Sequence, residues 1–213
     1  SFFWPSNQRY QKLSTDNEHL NKVHRVKVYL DALTDILFKA RYSPLAAFEA
    51  QQGESALQAF VFGTGLMFVD YDIKAESLRY KSLHLGQTYI LEGAAGKVDT
   101  VFRCWRWSLR NIEAAWPGKL PEKHRRTLEK NPDSEIEVAH CVMPREDYQG
   151  DGVGYRAMPW ASCYFLPGEK CLLDEGGFPQ WPFSVLRYMT SPGEVYGRSP
   201  AWLALSNIRV LNT

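Results

Sequence analysis

The sequence predicts an α+β protein: two N-terminal helices packed on a mostly antiparallel β-sheet, a helical insertion inside the β region, and the start of a further helix at the end. Three observations carry this. Apolar residues recur at helical spacing in the first third of the chain. Short alternating or β-branched runs, separated by Gly and Pro turns, fill most of the rest. Pro117-Gly118 and Asn131-Pro132-Asp133 bound two short helical stretches among those runs. The predicted organisation is a single body over residues 1–213, with a helical part at about 15–63, a β-rich part at about 64–190 and a truncated helix at about 199–213.

Taking the elements in order, Thr15 and Glu18 fit a capping box with Asp16 in the first turn. Val23, Val26, Leu30, Leu33 and Leu37 follow as an apolar stripe, which places the first helix at about 15–40. Ser43-Pro44 restarts a second helix that runs through Leu45, Phe48, Leu57 and Phe60 to Gly63, with a bend at Gly53. After Gly63-Thr64-Gly65 the pattern becomes strands: Leu66–Tyr71, Leu78–Leu85, Thr88–Gly93 and Val98–Trp107, joined as an antiparallel meander with a hairpin loop at Ala94–Lys97.

Ser108 caps a helix over Leu109–Trp116, and Pro121-Glu122 opens a basic helix ending at Lys130. Residues 135–143 alternate again, with Ile136, Val138, His140 and Val142 on one face. Gly150–Gly154 reads as a loop, 155–165 and 169–174 as strands, Gly176-Gly177 as a turn and Phe183–Tyr188 as the last strand.

Composition narrows the function. At 213 residues, 45% apolar and 14% aromatic, the chain can bury a sizeable core. A net charge of +1 gives no bulk electrostatic signal for nucleic acid, so any DNA contact is local, indirect or weak. No apolar run reaches about 18 residues, and the start, Ser1-Phe-Phe-Trp-Pro5, has no signal-peptide pattern. Four separated cysteines without a Cys-x-x-Cys pair read as reduced thiols, and neither a metal site nor a cofactor is expected.

The chemical motifs are weak singly. Gly63-Thr-Gly65 lacks the Gly-Lys-Ser/Thr of a phosphate loop, and Gly150-Asp-Gly-Val-Gly154 misses dinucleotide spacing. His140 reads most simply as a satisfied structural histidine. Two features carry more weight. Lys119, Lys123, Arg125, Arg126 and Lys130, with His124, cluster on the helical insertion and could meet DNA or an acidic partner; the plain alternative is a solvated face balanced by Glu122 and Glu129. Arg103-Cys-Trp-Arg-Trp107 with Trp116 forms an aromatic-basic patch.

The last eighteen residues are the most informative. Tyr196-Gly197-Arg198-Ser199-Pro200 reads as a bend at Gly197, a cap at Ser199 and a first helical position at Pro200. Trp202, Leu205, Ile208 and Leu211 then mark one apolar face of a helix still running where the chain stops. The wording Tyr-Gly-Arg-Ser-Pro-Ala-x-x-Ala-Leu resembles a segment of the head-to-tail connector (portal) proteins of short-tailed bacteriophages. Other landmarks follow in the same order: Trp4-Pro5 to Tyr10, Phe62-Gly-Thr-Gly-Leu66, Gly96–Arg103, Trp107–Trp116, Ile136–Pro144, and Pro182–Tyr188 leading into Glu194–Arg198.

That resemblance implies an internal fragment of a structural, non-enzymatic subunit. The whole protein would form a homo-oligomeric ring of about twelve copies at one capsid vertex. Its implied partners are the packaging terminase, tail or adaptor proteins, scaffold and capsid protein, and double-stranded DNA passing through the channel. The implied location is the virion, after assembly in the host cytoplasm. Gly63, Gly65, Tyr196, Gly197, Arg198, Ser199 and Pro200 would form the structural joint, and no catalytic residue is implied. Two rival readings come from the residues themselves: a carbohydrate-binding module using Trp105, Trp107, Trp160 and Trp181, and a hydrolase around Glu137, His140 and Cys141.

Overall fold

The computed structural model describes residues 4–150 and 152–211. It is α+β, with every strand pairing antiparallel. The chain divides into two compact units, one made of residues 1–83, 183–188 and 199–213, the other of 84–182 and 189–198.

In the first unit the predicted helix at 15–40 is two helices, α1 (Glu18–Lys22) and α2 (His24–Arg41). Asn17, rather than Thr15, caps α1, its side chain accepting from the amides of His19 and Leu20. Thr15 is engaged elsewhere: its hydroxyl donates to Asn21 Oδ1 at 2.8 Å, and Asn21 Nδ2 donates back to Thr15 O. That closed loop ends the first turn, and Val23 is extended between the helices. Of the predicted stripe, Val26, Leu30 and Leu33 are half-buried, while Val23 and Leu37 are exposed. Residues 4–15 run back along α2, and Leu13 N donates to Thr34 Oγ1, which makes Thr34 the buried residue of that helix.

Helix α3 spans Phe48–Phe62, four residues later than Ser43-Pro44 suggests. Ala46 is fully buried, and its carbonyl accepts from Tyr80 N on β2 (Ser77–Leu83), so this stretch serves a strand edge instead of a helix start. Gly53 produces no break. The buried face is also not the expected one. Ser55, Ala56 and Ala59 face inward, whereas Leu45, Leu57 and Phe60 are exposed. The reason lies in β1 (Thr64–Asp72), whose Gly65 lies so close to α3 that only small residues fit between them. A Cβ on Gly65 would stand 2.0 Å from Ser55 O.

β1 is central in a three-stranded sheet, between β2 and β8 (Phe183–Arg187). Leu66, Met67, Phe68, Leu83 and Phe183 form its core, and Tyr42, Phe48 and Tyr80 meet edge to face beside it. The terminal helix is broken at Ala204 into α6 (Pro200–Leu203), which packs on α3, and α7 (Leu205–Leu211). Its predicted apolar face is not buried: Trp202 is 56% and Leu211 84% exposed, and the Ile208 side chain lies outside the described residues.

The second unit is a five-stranded sheet in the order β3 (Thr88–Glu92), β4 (Val98–Ser108), β5 (Glu135–Pro144), β6 (Trp160–Leu166), β7 (Cys171–Phe178). The expected meander is therefore interrupted: β2 and β3 belong to different sheets, separated by a 3-10 turn at Leu85–Gln87. Gly176-Gly177 lies inside β7 instead of forming a turn. A side chain on Gly177 would meet Trp160 O and Met158 Cβ, each at 2.8 Å, so glycine here serves close backbone approach. Residues 155–159 are likewise not strand; Tyr155–Ala157 make a 3-10 turn.

Ser108 ends β4 and caps α4 (Leu109–Ala115), and Pro121 precedes α5 (Glu122–Lys130). The amides of Leu109 and Arg110 donate to the carbonyls of Ser134 and Pro132, tying this insertion back to the root of β5. Leu109, Ile112, Leu120, Val138, Leu166 and Leu173 form the core beneath it, with Trp105, Trp107, Trp116 and Tyr164 packed around. Both faces of mid-β5 are buried, including Ala139 and Cys141, which the one-sided reading of 135–143 leaves out.

The two glycines near α3 give opposed expectations. Gly53 has nothing within 4 Å, so Gly53→Ala should stabilise by about 0.5–1 kcal/mol through helix propensity. Gly65→Ala must displace backbone and should cost about 3 kcal/mol. Denaturant unfolding of both variants checks the pair; equal effects would refute the close-approach argument.

Candidate functional site

The joint residues are all engaged. Gly63, at φ 90°, ends α3 with its amide on Ala59 O at 2.9 Å, and its carbonyl accepts from Tyr188 N at 3.0 Å. Tyr196 Oη accepts from Ile90 N at 3.1 Å on the outer edge of β3. Arg198 makes a two-pronged ion pair with Glu194, at 2.8 and 2.6 Å, and its amide donates to Met189 O. Buried Ser199 caps α6 by accepting from Trp202 N at 2.9 Å, and Pro200 occupies the first turn. The bend lies at Val195 and Tyr196, next to buried Gly197, which does not take a positive φ; Gly193, at φ 79°, belongs to a separate turn with Pro192.

The basic cluster on and before α5 is brought together but substantially answered by acids. Lys123 Nζ and His124 Nε2 both meet Glu169, at 3.1 and 3.0 Å, and these bonds hold the Glu169 carboxyl below its usual range. Arg126 pairs with Glu122 one turn away, and Arg125 donates to Gly118 O. Lys119 precedes the helix and Lys130 ends it. A cleft of about 430 Å³ beside this helix is lined by Arg106, His124, Glu135, Glu137 and Glu169. Its Arg106 pairs with Glu135 at 3.5 Å. Exposed pairs of this kind contribute little each, roughly 0.2–1 kcal/mol.

The groups of the hydrolase reading are not assembled. His140 faces the helix-covered side of the sheet, while Glu137 and Cys141 alternate to the other side. His140 stacks on Tyr164 with ring centroids 3.9 Å apart and shares a 2.9 Å hydrogen bond with Ser162 Oγ. Burial, aided by the Arg103 charge, lowers its pKa to about 3, which makes it a poor base at neutral pH. The Cys141 thiol is pushed up to about 12 by burial, then by Cys163, so it is a poor nucleophile. Among the described residues no His, Cys, Asp and Glu group is placed to hold a metal.

The carbohydrate reading fares no better. Trp105 and Trp107 pack against the core and join Trp116 and Tyr164 in one aromatic cluster, with Arg103 4.4 Å over the Trp105 ring. Trp160 and Trp181 instead contact each other at 4.7 Å. Sequence reasoning missed Arg145. Its buried guanidinium binds nearby Asp147 and also Glu175 and the Gly176 carbonyl, and the last two lie too far along the sequence to leave a local signal.

The features described so far are caps, edge closures and ion pairs. The chain belongs to the family described as bacteriophage head to tail connecting protein, which matches residues 1–213. The chain is 26% identical over 210 residues to the portal protein of Salmonella phage epsilon15. It is 27% identical over 209 residues to the probable portal protein of Bordetella phage BPP-1. Each match covers 94% of this chain but only 36% of the relative.

His140 supplies a measurable consequence. Between pH 6.5 and about 3 the unfolded chain takes up a proton that folded His140 refuses, so stability falls as pH drops through that window. Its share of the loss between pH 7 and pH 5 should be about 2 kcal/mol. His140→Gln should flatten the curve by that amount in denaturant titrations at the two pH values; an unchanged slope would show that His140 is not held neutral.

Proposed function

We propose that this chain is part of a portal subunit: a ring-forming protein at a capsid vertex that passes DNA and carries the tail. The family match across the whole chain carries the reading. The distribution of apolar side chains supports it, because Leu57, Phe60 and Val61 on α3, and Val28, Tyr29 and Ile36 on α2, lie exposed. Exposed apolar side chains grouped on one helix face in this way suit burial between copies in a closed ring of about twelve. In this reading the two compact units work as one body of the subunit. Gly63, Gly65 and Tyr196 to Pro200 anchor the chain as it leads into α6 and α7. The role is structural, without catalysis, in a virion assembled in the host cytoplasm with terminase, scaffold, capsid and tail or adaptor proteins.

The basic cluster of Lys119, Lys123, Arg125, Arg126 and Lys130 is proposed as a local contact for DNA phosphates, since the pairs of Lys123 with Glu169 and of Arg126 with Glu122 offset only part of its charge.

Negative-stain imaging of the full-length protein should show rings; a strict monomer under all assembly conditions tested would overturn the portal reading. In assembled rings, changing Lys119, Arg126 and Lys130 to Gln should lower the log–log salt slope of DNA retention by about 0.9 for each phosphate that is no longer neutralised. An unchanged slope assigns these cations to solvation.

A further inference from the structure

Cys141 on β5 and Cys163 on β6 are direct partners in the strand register. The other two cysteines are not so placed: Cys104 stands opposite Ala139, and Cys171 opposite Leu166. Arg145 N donates to Pro159 O just beyond the end of the β5–β6 ladder, so counting back in twos makes Cys141 and Cys163 a hydrogen-bonded pair. Such a pair has Cα atoms about 5.5 Å apart, inside the range that a disulfide spans. Its Cβ atoms stand at about 5 Å, against the 3.5–4.5 Å a disulfide needs, so the strands must close by roughly 1 Å.

We propose that Cys141 and Cys163 form a reversible cross-strand disulfide when the protein meets a disulfide oxidant such as oxidised glutathione. Cys163 is only half-buried and reacts first; Cys141 is buried behind it. The Cys163 thiolate attacks a sulfur of oxidised glutathione, breaking that S–S bond and releasing one glutathione thiolate. Cys141, whose thiol is kept protonated most of the time by burial, then loses its proton and attacks the adjacent Cys163 sulfur of the mixed disulfide, releasing the second glutathione thiolate, so this closing step is the slow one. Two cysteine thiols are oxidised, one glutathione disulfide is reduced to two thiols, and the two protons lost by the cysteines end on glutathione. The biological setting rests on the portal reading, since a virion moves from a reducing cell interior to an oxidising exterior. The bond itself does not rest on it. Closing the β5–β6 loop would stiffen the centre of the five-stranded sheet.

The test is peptide mapping of the full-length protein after incubation with oxidised glutathione, alongside a dithiothreitol control. The expected result is a linked peptide pair containing Cys141 and Cys163, an intact mass lower by two hydrogens, and a Tm raised by about 5 °C, all reversed by dithiothreitol. The double variant Cys104→Ser with Cys171→Ser should behave identically. Free thiols throughout, a glutathione adduct that stops at Cys163, or linkage of Cys141 to Cys104 would each overturn the proposal. Ring formation is scored separately, so a monomer with the linked peptide sinks only the portal reading.

Discussion

Open antiparallel sheets leave rows of unpaired N–H and C=O groups along their edges, and closing those edges is the constraint on which much of this structure depends. On β2, the amide of Tyr80 is taken by Ala46 O and that of Ser82 by Gln51 Oε1. On β3, the Ile90 amide is taken by Tyr196 Oη. Leaving such a group buried and unpaired costs about 1–3 kcal/mol, comparable with a large share of a domain's net stability. These needs explain features that local propensity does not. The late start of α3 and the tyrosine of the Tyr-Gly-Arg-Ser-Pro word each follow from an edge that wants a partner.

A second constraint is the separation between α3 and β1. Gly65 and the small residues Ser55 and Ala59 let the two backbones close up, and this turns the large side chains of α3 outward. A free monomer would gain by hiding Leu57, Phe60 and Val61; a subunit with neighbours has use for them. The same economy appears in the electrostatics. Many charges are paired over short distances, His140 is kept neutral, and burial keeps the Cys141 thiol protonated.

Much of the architecture was legible in the residues. Helix and strand periodicity located most of the elements, and the Ser108 and Ser199 caps lie where the cap-then-helix pattern puts them. The errors have a common cause. Thr15 lost its capping role because Asn21 claims its hydroxyl, and Ser43-Pro44 did not start a helix because Ala46 serves β2. Gly176-Gly177 looked like a turn because glycine is also what a crowded strand needs. In each case a partner distant in sequence overrode a sound local preference.

The sequence by itself determined the α+β class, the order of elements, and the motif words that carry the family resemblance, because these depend on residues within a turn or two of one another. Only the tertiary structure decided that β2 and β3 part into different sheets, which face of α3 is buried, and that Cys141 meets Cys163 while His140 turns away from both. Those outcomes are set by strand register and by backbone approach between segments far apart in the chain, and neither leaves a periodic signal in the sequence.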